Sequence, residues 1–487
     1  MILLYYPKLT KPKNRRFPLS ILALAAVLEG REEYEIVDGN LDPDPEATLA
    51  RLIEAHRVEL LGVSVMPGPQ MISAMKSCKT IRARYPNIPI VWGGYFPSLY
   101  ADATLNARYV DYAVRGQGEN TLLELIDAIR GKRDLRGIAG LSYKDDFGLG
   151  VHNRERPMQG PDAFPWSPFE RLPVGSYLRP SFFGKRTGAH QASIGCPFQC
   201  TFCAVHETYG SQQKMESPAR TAAILRHLVK NHGMDGVQFY DMNFFLREDH
   251  TRELMERLAP LKLQWWCEGR IDTICRYSDD TLEWIRRGGC TMIFFGAESG
   301  SDRILKEMKK GITTAQTLEV AKRLRRFNII PEFSFVVGNP SDPEGDTRDT
   351  ITFIRKIKQL NPASEIIVQH YTPVPNRGHM YGGIDGKVSF PATLEEWATP
   401  QWYNFTIRVN PSMPWLKPRT RRLIDNFEMV VGSRWPTVQD IQASQWSRRL
   451  LKGLSAWRYL TGIYTAPAEL RLAQDWIRLR RPKVESI

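Results

Sequence analysis

The chain has 487 residues, 42% hydrophobic and 24% charged, with a formal net charge of +13. That is too long for one core and too apolar for a disordered chain, so roughly two to four domains are expected. Seven cysteines, an odd number with four of them scattered, argue against a secreted disulfide framework.

The basic excess fits nucleic acid, an anionic membrane surface, anionic ligands or simple solubility, and its location matters more than its sum. The apolar start precedes the basic residues from Lys8 to Arg16, which reverses the order of a secretory signal. The longest apolar stretch, Leu19–Leu28, is about half a membrane span. A cytoplasmic protein without a transmembrane helix is expected.

From the start, apolar runs alternate with helical stretches: MILLYYP, LSILALAAVLEG, YEIVDGN, a polar helix through Ala47–Ala55, LLGVSVM, a helix over Met71–Tyr85, PIVWGGYFP, and YAVRGQGE before Leu122–Ile129. Continuous apolar strands alternating with helices predict a parallel sheet covered on both faces. Residues 1–135 therefore read as one doubly wound α/β domain. Its ligands would sit beyond the carboxyl ends of the strands, where Gly68, Gly93, Gly94, Gly116 and Gly118 fall.

Residues 136–188 are rich in Gly, Pro, Asp and Arg and read as a linker with room for one small hairpin. A second series follows over residues 189–385, with strands HQASIG, DGVQFYDMNFF, LQWWCEGRID, TMIFFGAESG, IIPEFSFVVGNP and SEIIVQHYTPVP. Helices such as Pro218–Lys230 and Thr314–Phe327 separate them. Six β/α units predict a partial (β/α) barrel with its chemistry on the carboxyl-end loops. Residues 386–487 turn helical and hold seven of the twelve tryptophans.

The most informative stretch is IGCPFQCTFCAV, which places Cys196, Cys200 and Cys203 on the first of those loops. Three thiolates can hold zinc with a fourth ligand, for which His206 is available, or an iron–sulfur cluster with one iron left open. With the aromatic Phe202 before the last cysteine and a series of strands after it, C-x3-C-x-aromatic-C resembles the signature of the radical S-adenosylmethionine (SAM) superfamily. The resemblance implies a 4Fe–4S cluster on the three cysteines, with SAM chelated at the open iron and cleaved to a 5′-deoxyadenosyl radical. His206 would then not be a metal ligand.

Other loops carry the resemblance further. FYDMNFF resembles the segment that holds the SAM amino group, through Asp241 and Asn243, although a turn capped by Asp241 reads as well. GAESGSDRILKEMKKG resembles the family's GxESGS segment and assigns Glu298 and Ser299 to the ribose and carboxylate; a helix N-cap at Ser299 or Ser301 is the alternative. Arg270 could pair with the SAM carboxylate or form a surface salt bridge. Gly338 in VVGNP would admit close backbone approach on the adenine side, and YTPVPNRG looks like the Pro-x-Pro segment that ends the sixth strand.

In the first domain the turn after the first strand lacks the glycines of the dinucleotide fingerprint. Instead Ser64 and Met66 after the third strand, Gly93 and Gly94 after the fourth, and Gly116, Gly118 and Glu119 after the fifth resemble the cobalamin-binding domain found fused to radical SAM barrels. No histidine precedes His56, so the resemblance implies cobalamin without a protein histidine ligand, easier to reduce to cobalt(I).

In the tail, QWSRRLLKGLSAWRYLTGIY places Trp446, Leu450, Leu454, Trp457 and Tyr464 on one stripe, with Arg448, Arg449, Lys452 and Arg458 elsewhere. ELRLAQDWIRLRRPK repeats the character. This reads as a helix packed on the barrel with a solvated basic face, an interfacial helix giving access to a lipid-like substrate, or a cap over a large substrate. No RNA-binding module pattern appears.

Together these readings imply a cobalamin-dependent radical SAM C-methyltransferase acting on a small-molecule or lipid-like intermediate, supplied with electrons by a flavodoxin or ferredoxin. Ring closure or rearrangement by the same machinery is the alternative. An RNA-modifying methylthiotransferase would need further upstream cysteines, and the N-terminal half offers only Cys78.

Overall fold

The structure is a computed structural model that describes residues 1–10, 14–374, 381–384, 387–407 and 413–477. Two parallel sheets dominate it. The first has strand order β2-β1-β3-β4-β5-β6-β7, with β1 Ile2–Tyr6, β2 Tyr34–Asp38, β3 Leu60–Ser64, β4 Ile90–Gly93, β5 Tyr112–Val114, β6 Leu141–Lys144 and β7 Gly150–His152. The pairings from β2 through β5 are parallel. The order reverses at β1, which opens a crevice beyond the strand ends.

Both faces are covered, as the apolar runs require. Helices Leu19–Leu28 and Glu119–Ile129 bury Ile21, Ala25, Leu122 and Leu125 on one face. On the other, Pro45–Ala55 and Pro69–Arg84 pack Leu49, Met71, Ala74 and Cys78 around Trp92.

Residues 136–188 are more than a linker. Strands β6 and β7 form the anticipated hairpin, and β6 pairs antiparallel with β5, so the first sheet continues past residue 135 to His152. Beyond it, Phe169, Leu172, Val174 and Tyr177 are buried in the barrel core beside Phe17.

The second sheet has the order β15-β14-β13-β12-β11-β8, all parallel: β8 Thr187–His190, β11 Gly236–Phe239, β12 Gln264–Gly269, β13 Cys290–Glu298, β14 Ile330–Val337 and β15 Glu365–His370. It is an open six-stranded barrel wall. One expectation is corrected here: HQASIG is not a single barrel strand. The barrel strand β8 ends at His190, and β9 Ser193–Gly195 turns away to pair antiparallel with β10 Gln213–Met215. Gly195 shows why the pairing is possible: its φ is +79°, and a Cβ there would lie 2.3 Å from the Gln212 carbonyl oxygen.

The C-terminal part joins the two halves. Leu394, Trp397 and Phe405 sit in the core of the first domain, where the Trp397 ring lies 4.5 Å from Tyr100 and 5.6 Å from Phe96. Helix Pro418–Arg434 then packs Ile424, Phe427, Val430 and Val431 onto the barrel. The tryptophan stripe is corrected as well. Helix Gln445–Thr461 buries Ser447, Leu451, Ser455, Arg458 and Tyr459, while Trp446 and Trp457 are exposed. Arg458 is not on a solvated face: it pairs with Glu469 and donates to the Thr465 carbonyl at 2.6 Å. The residues 375–378 of the Pro-x-Pro stretch and the end of the tail lie outside the described residues.

The seam between the halves contains a buried polar contact, the Tyr177 hydroxyl donating to Asp38 at 2.6 Å. Burial pushes the Asp38 carboxyl up, and Tyr177 and Asn40 resist the shift. Tyr177→Phe leaves that oxygen short of a donor and should destabilise the protein by about 1–3 kcal/mol, seen as a lower urea midpoint with an unchanged slope; an unchanged midpoint would show that the contact contributes nothing.

Candidate cofactor site

The cysteine loop leaves β9 and is tethered at both ends. The Cys203 amide donates to the Cys200 carbonyl at 3.1 Å, and the Thr201 amide donates to the Met308 carbonyl at 3.0 Å. Cys200 is buried and Cys196 and Cys203 are partly so. Burial raises the Cys196 thiol and pushes Cys203 up to about 11. Positive charge beside such a thiol favours its thiolate, the form that binds metal.

Two cations supply that charge. Arg270 is buried, places Nη1 3.8 Å from Cys200 Sγ and lies 3.5 Å over the Phe198 ring. It is held by Asp272 at 2.9 Å and by the Lys310 carbonyl at 2.6 Å. The surface-salt-bridge alternative for Arg270 is thereby corrected, because its guanidinium is enclosed against the cysteine loop. Lys310 is the second cation. Its Nζ donates to Glu298 at 2.6 Å and stands 5.6 Å from the Phe202 ring. Burial works to lower the Lys310 ammonium, but Glu298 and Cys200 outweigh it and hold the group above its ordinary value. The spacing motifs do not mark Lys310, although the lysine pair that follows KEM was visible.

Glu298 sits at a register shift between β13 and β14 with φ +62°. That left-handed turn in a non-glycine residue is a strained feature of the kind concentrated at functional sites, and it aims the carboxylate at Lys310. Ser299 turns elsewhere: its hydroxyl donates to Asp346 at 2.5 Å and accepts from the Ser301 amide at 3.0 Å. Asn339 completes that network at 2.6 Å, and burial pushes Asp346 up to about 6. Ser301 precedes the helix Asp302–Glu307 without a side-chain cap.

Asp241 braces the approach to the cysteines, accepting from the Ser193 hydroxyl at 2.6 Å and the Ala192 amide at 3.2 Å; burial pushes it to about 6. Asn243 is different. Its side-chain Oδ1 and Nδ2 are both buried without a hydrogen-bond partner, while its carbonyl accepts from Gln213 at 2.6 Å. An orphaned amide costs stability unless a ligand completes it, and the amino and carboxylate groups of SAM would do so. Gly338 has φ +76°, but the approach it permits is taken by Leu416, 3.1 Å from a notional Cβ, and its carbonyl accepts from Trp415.

His206 lies beside the loop with Nε2 2.7 Å from Glu207 and Nδ1 buried without a partner. Ligands of one tetrahedral zinc at 2.3 Å bonds stand about 3.8 Å apart. Among the described residues the cysteines and His206 do not converge to within 4.8 Å as such a set would.

On the first domain, Gly94 has φ +100°, and a Cβ would stand 3.2 Å from the Val65 carbonyl and 3.4 Å from Ser64 Oγ. The strand ends are thus kept low around Ser64, whose hydroxyl is 2.8 Å from that of Ser20. The Met66 amide donates to Gln70 at 2.8 Å, and Gly93 accepts from Val65. The Gly116 amide donates to Ser98 at 2.9 Å. Gly118 lies against Leu24, and Glu119 is buried and shifted upward by that burial. Helix Val205–Tyr209 starts two residues after Cys203 and brings the Thr208 carbonyl to 3.5 Å from where a Cβ on Gly116 would stand. The cysteine loop and the glycine turns therefore meet at one seam. His56 ends helix Pro45–Ala55 near Glu33, at the opposite end of the strands.

The barrel's inner face carries groups that local patterns do not reveal. Along β12 and β13, Trp265, Cys267, Ile293 and Phe295 are buried under helices, while Trp266, Glu268 and Phe294 stay partly accessible on the other face. Glu332 accepts from Trp266 at 3.0 Å and from Gln439. Burial, then Glu332 and Asp241, push Glu268 up to about 7.

Two family models match the chain: the B12 binding domain over residues 9–126 and the radical SAM superfamily over residues 191–354. An uncharacterized methyltransferase of Pyrococcus horikoshii is 28% identical over 344 residues, covering 70% of this chain and 73% of that protein. An anaerobic magnesium-protoporphyrin IX monomethyl ester cyclase of Synechocystis is 27% identical over 381 residues, covering 77% and 74%. The solved structure of the radical SAM methyltransferase TsrM from Kitasatospora setae, with cobalamin and a 4Fe–4S cluster bound, shares the fold over 98% of both chains with a TM-score of 0.67 at 16% identity. The chain thus carries a B12 binding domain followed by a radical SAM domain.

Proposed function

We propose that the protein methylates an unactivated carbon of a small-molecule or lipid-like biosynthetic intermediate, with SAM and cobalamin serving the same substrate. The observation that carries this reading is the seam itself, where the helix after Cys203 rests on Gly116 of the first domain. A methylation that draws on SAM and cobalamin together would need both within reach of one substrate, and the seam brings together the loops that would hold them.

Cys196, Cys200 and Cys203 would hold the cluster, with Arg270 and Lys310 offsetting its negative charge. Asn243 and Glu298 would bind SAM, with Phe202 beside them; Asp241 and Ser299 position the loops around it. Ser64, Met66, Gly93, Gly94, Gly116, Gly118 and Glu119 would line the cobalamin crevice, and its lower face would lack a protein histidine. When bound, the cluster supplies the electron that cleaves SAM, and cobalamin supplies a transferable methyl group. The chain's own part is to orient and enclose. Glu268 and Glu332 on the inner wall offer carboxyl groups to a polar part of the substrate, while Trp266 and Phe294 offer flat apolar contact. Electrons would come from a flavodoxin or ferredoxin. Ring chemistry by the same machinery is the second reading, favoured by the likeness to the cyclase of Synechocystis.

Among the described residues no helix is long and apolar enough to cross a membrane. The exposed Trp446, Trp457, Leu460, Leu472 and Trp476, with Arg449 and Lys452 alongside, support peripheral contact of a cytoplasmic protein with an anionic bilayer.

Three measurements check these assignments. Anaerobic reconstitution should give about four irons per chain; Cys200→Ala should abolish stable iron binding and SAM cleavage, whereas His206→Ala should leave the iron content unchanged. With methyl-labelled SAM, label should appear in the product; an unlabelled product with a new ring would replace methylation by the second reading. In flotation with phosphatidylserine liposomes, the full chain should rise with the vesicles and a variant with Trp446, Trp457 and Trp476 changed to Ser should stay below; equal flotation of both would remove membrane contact through this surface.

A further inference from the structure

A second cluster of metal-ligating side chains lies away from the cysteines, where the segment joining the two halves crosses the barrel. Glu170, on the turn Phe169–Arg171, faces His227 and His232, which lie in the last two turns of the helix Pro218–His232. Glu170 Oε1 is 2.6 Å from His227 Nε2 and 3.9 Å from His232 Nε2, and one ligand atom from each residue falls within 4.8 Å of the others. The two imidazole rings stand 6.0 Å apart.

Two observations bear on a cation here. His232 Nε2 is buried and has no hydrogen-bond partner, since the carboxylate oxygen it faces stands 3.9 Å away, beyond hydrogen-bond reach. The cost of an orphaned nitrogen disappears if a metal ion sits between the three groups. Access is open, since the Glu170 side chain is 61% and the His227 side chain 32% exposed.

We propose that Glu170, His227 and His232 form a zinc site, with water completing the tetrahedron. Two imidazoles and one carboxylate are the ligand set that suits this ion. On binding, each ring presents its Nε2 lone pair and keeps one proton on Nδ1, so the proton now between His227 Nε2 and Glu170 moves through solvent to His227 Nδ1, where the Asn231 amide, 3.0 Å away, turns its oxygen to accept it. The site would act as a clip. Arg171, the next residue, donates to Glu29 of the first domain at 2.7 Å, so a metal on Glu170 would fasten to the barrel the same segment that Arg171 fastens to the cobalamin side.

The test uses the reconstituted holoenzyme, dialysed against chelator and then given one equivalent of zinc. About one zinc per chain should remain after gel filtration, with an X-ray absorption shell of nitrogen and oxygen at about 2.0–2.1 Å. His232→Gln should weaken zinc binding at least about tenfold with the iron content unchanged. Glu170→Gln, at an exposed position that folding does not depend on, should weaken it in the same direction and decides the matter if the histidine variant fails to fold. A sulfur shell at about 2.3 Å, zinc retention untouched by the substitutions, or no retained zinc would each overturn the proposal.

Discussion

A parallel sheet delivers all its carboxyl-end loops to one edge, and this molecule sets two such edges against each other. Everything chemical depends on that constraint. The glycine turns after β3, β4 and β5 and the cysteine loop after β8 are far apart in sequence, yet the helix that follows Cys203 lies on Gly116. A larger residue at Gly94 would push into the Val65 backbone and raise the floor of the crevice. The reactive geometry is thus set by backbone approach at the first domain and by charge at the second.

That charge is the costly part. Buried thiols resist ionisation, and a buried cluster with three thiolates needs compensating cations that are themselves buried. Arg270 and Lys310 stand beside the thiols and are each fully engaged: Arg270 by Asp272, a carbonyl and the Phe198 ring, and Lys310 by Glu298. The chain of contacts explains why the strained φ of Glu298 is retained, since relaxing it would withdraw the carboxylate that holds Lys310 in place.

Much of this was legible in the sequence because it is local. The alternation of apolar runs and helices reads out both sheets, and the C-x3-C-x2-C spacing reads out a metal-binding loop, since both are properties of neighbouring residues. What escaped depends on contacts across the sheet. Glu268 and Glu332 become meaningful only when the register of β12, β13 and β14 places them on one inner face, and Lys310 only when the loop after helix Asp302–Glu307 folds back onto Glu298. HQASIG looked like one strand because propensity does not register the turn between His190 and Ser193 that lets β9 pair with β10. The tryptophan stripe followed helical spacing correctly but on the wrong side, since helix Pro418–Arg434 covers the face with Leu451 and Ser455 and leaves Trp446 and Trp457 outside.

The late return of the chain to the first domain has a consequence for how the protein is made. Asn106 donates to the Ala392 carbonyl across 286 positions, and Trp397 fills an aromatic recess built by Phe96 and Tyr100. On the ribosome the first sheet emerges early and can fold as a unit, but that recess stays open until most of the barrel has been synthesised. The nascent chain thus passes through a long interval in which its first domain is folded yet uncovered, exposed both to aggregation and to the arrival of small molecules, and the last fifth of the sequence ends that interval.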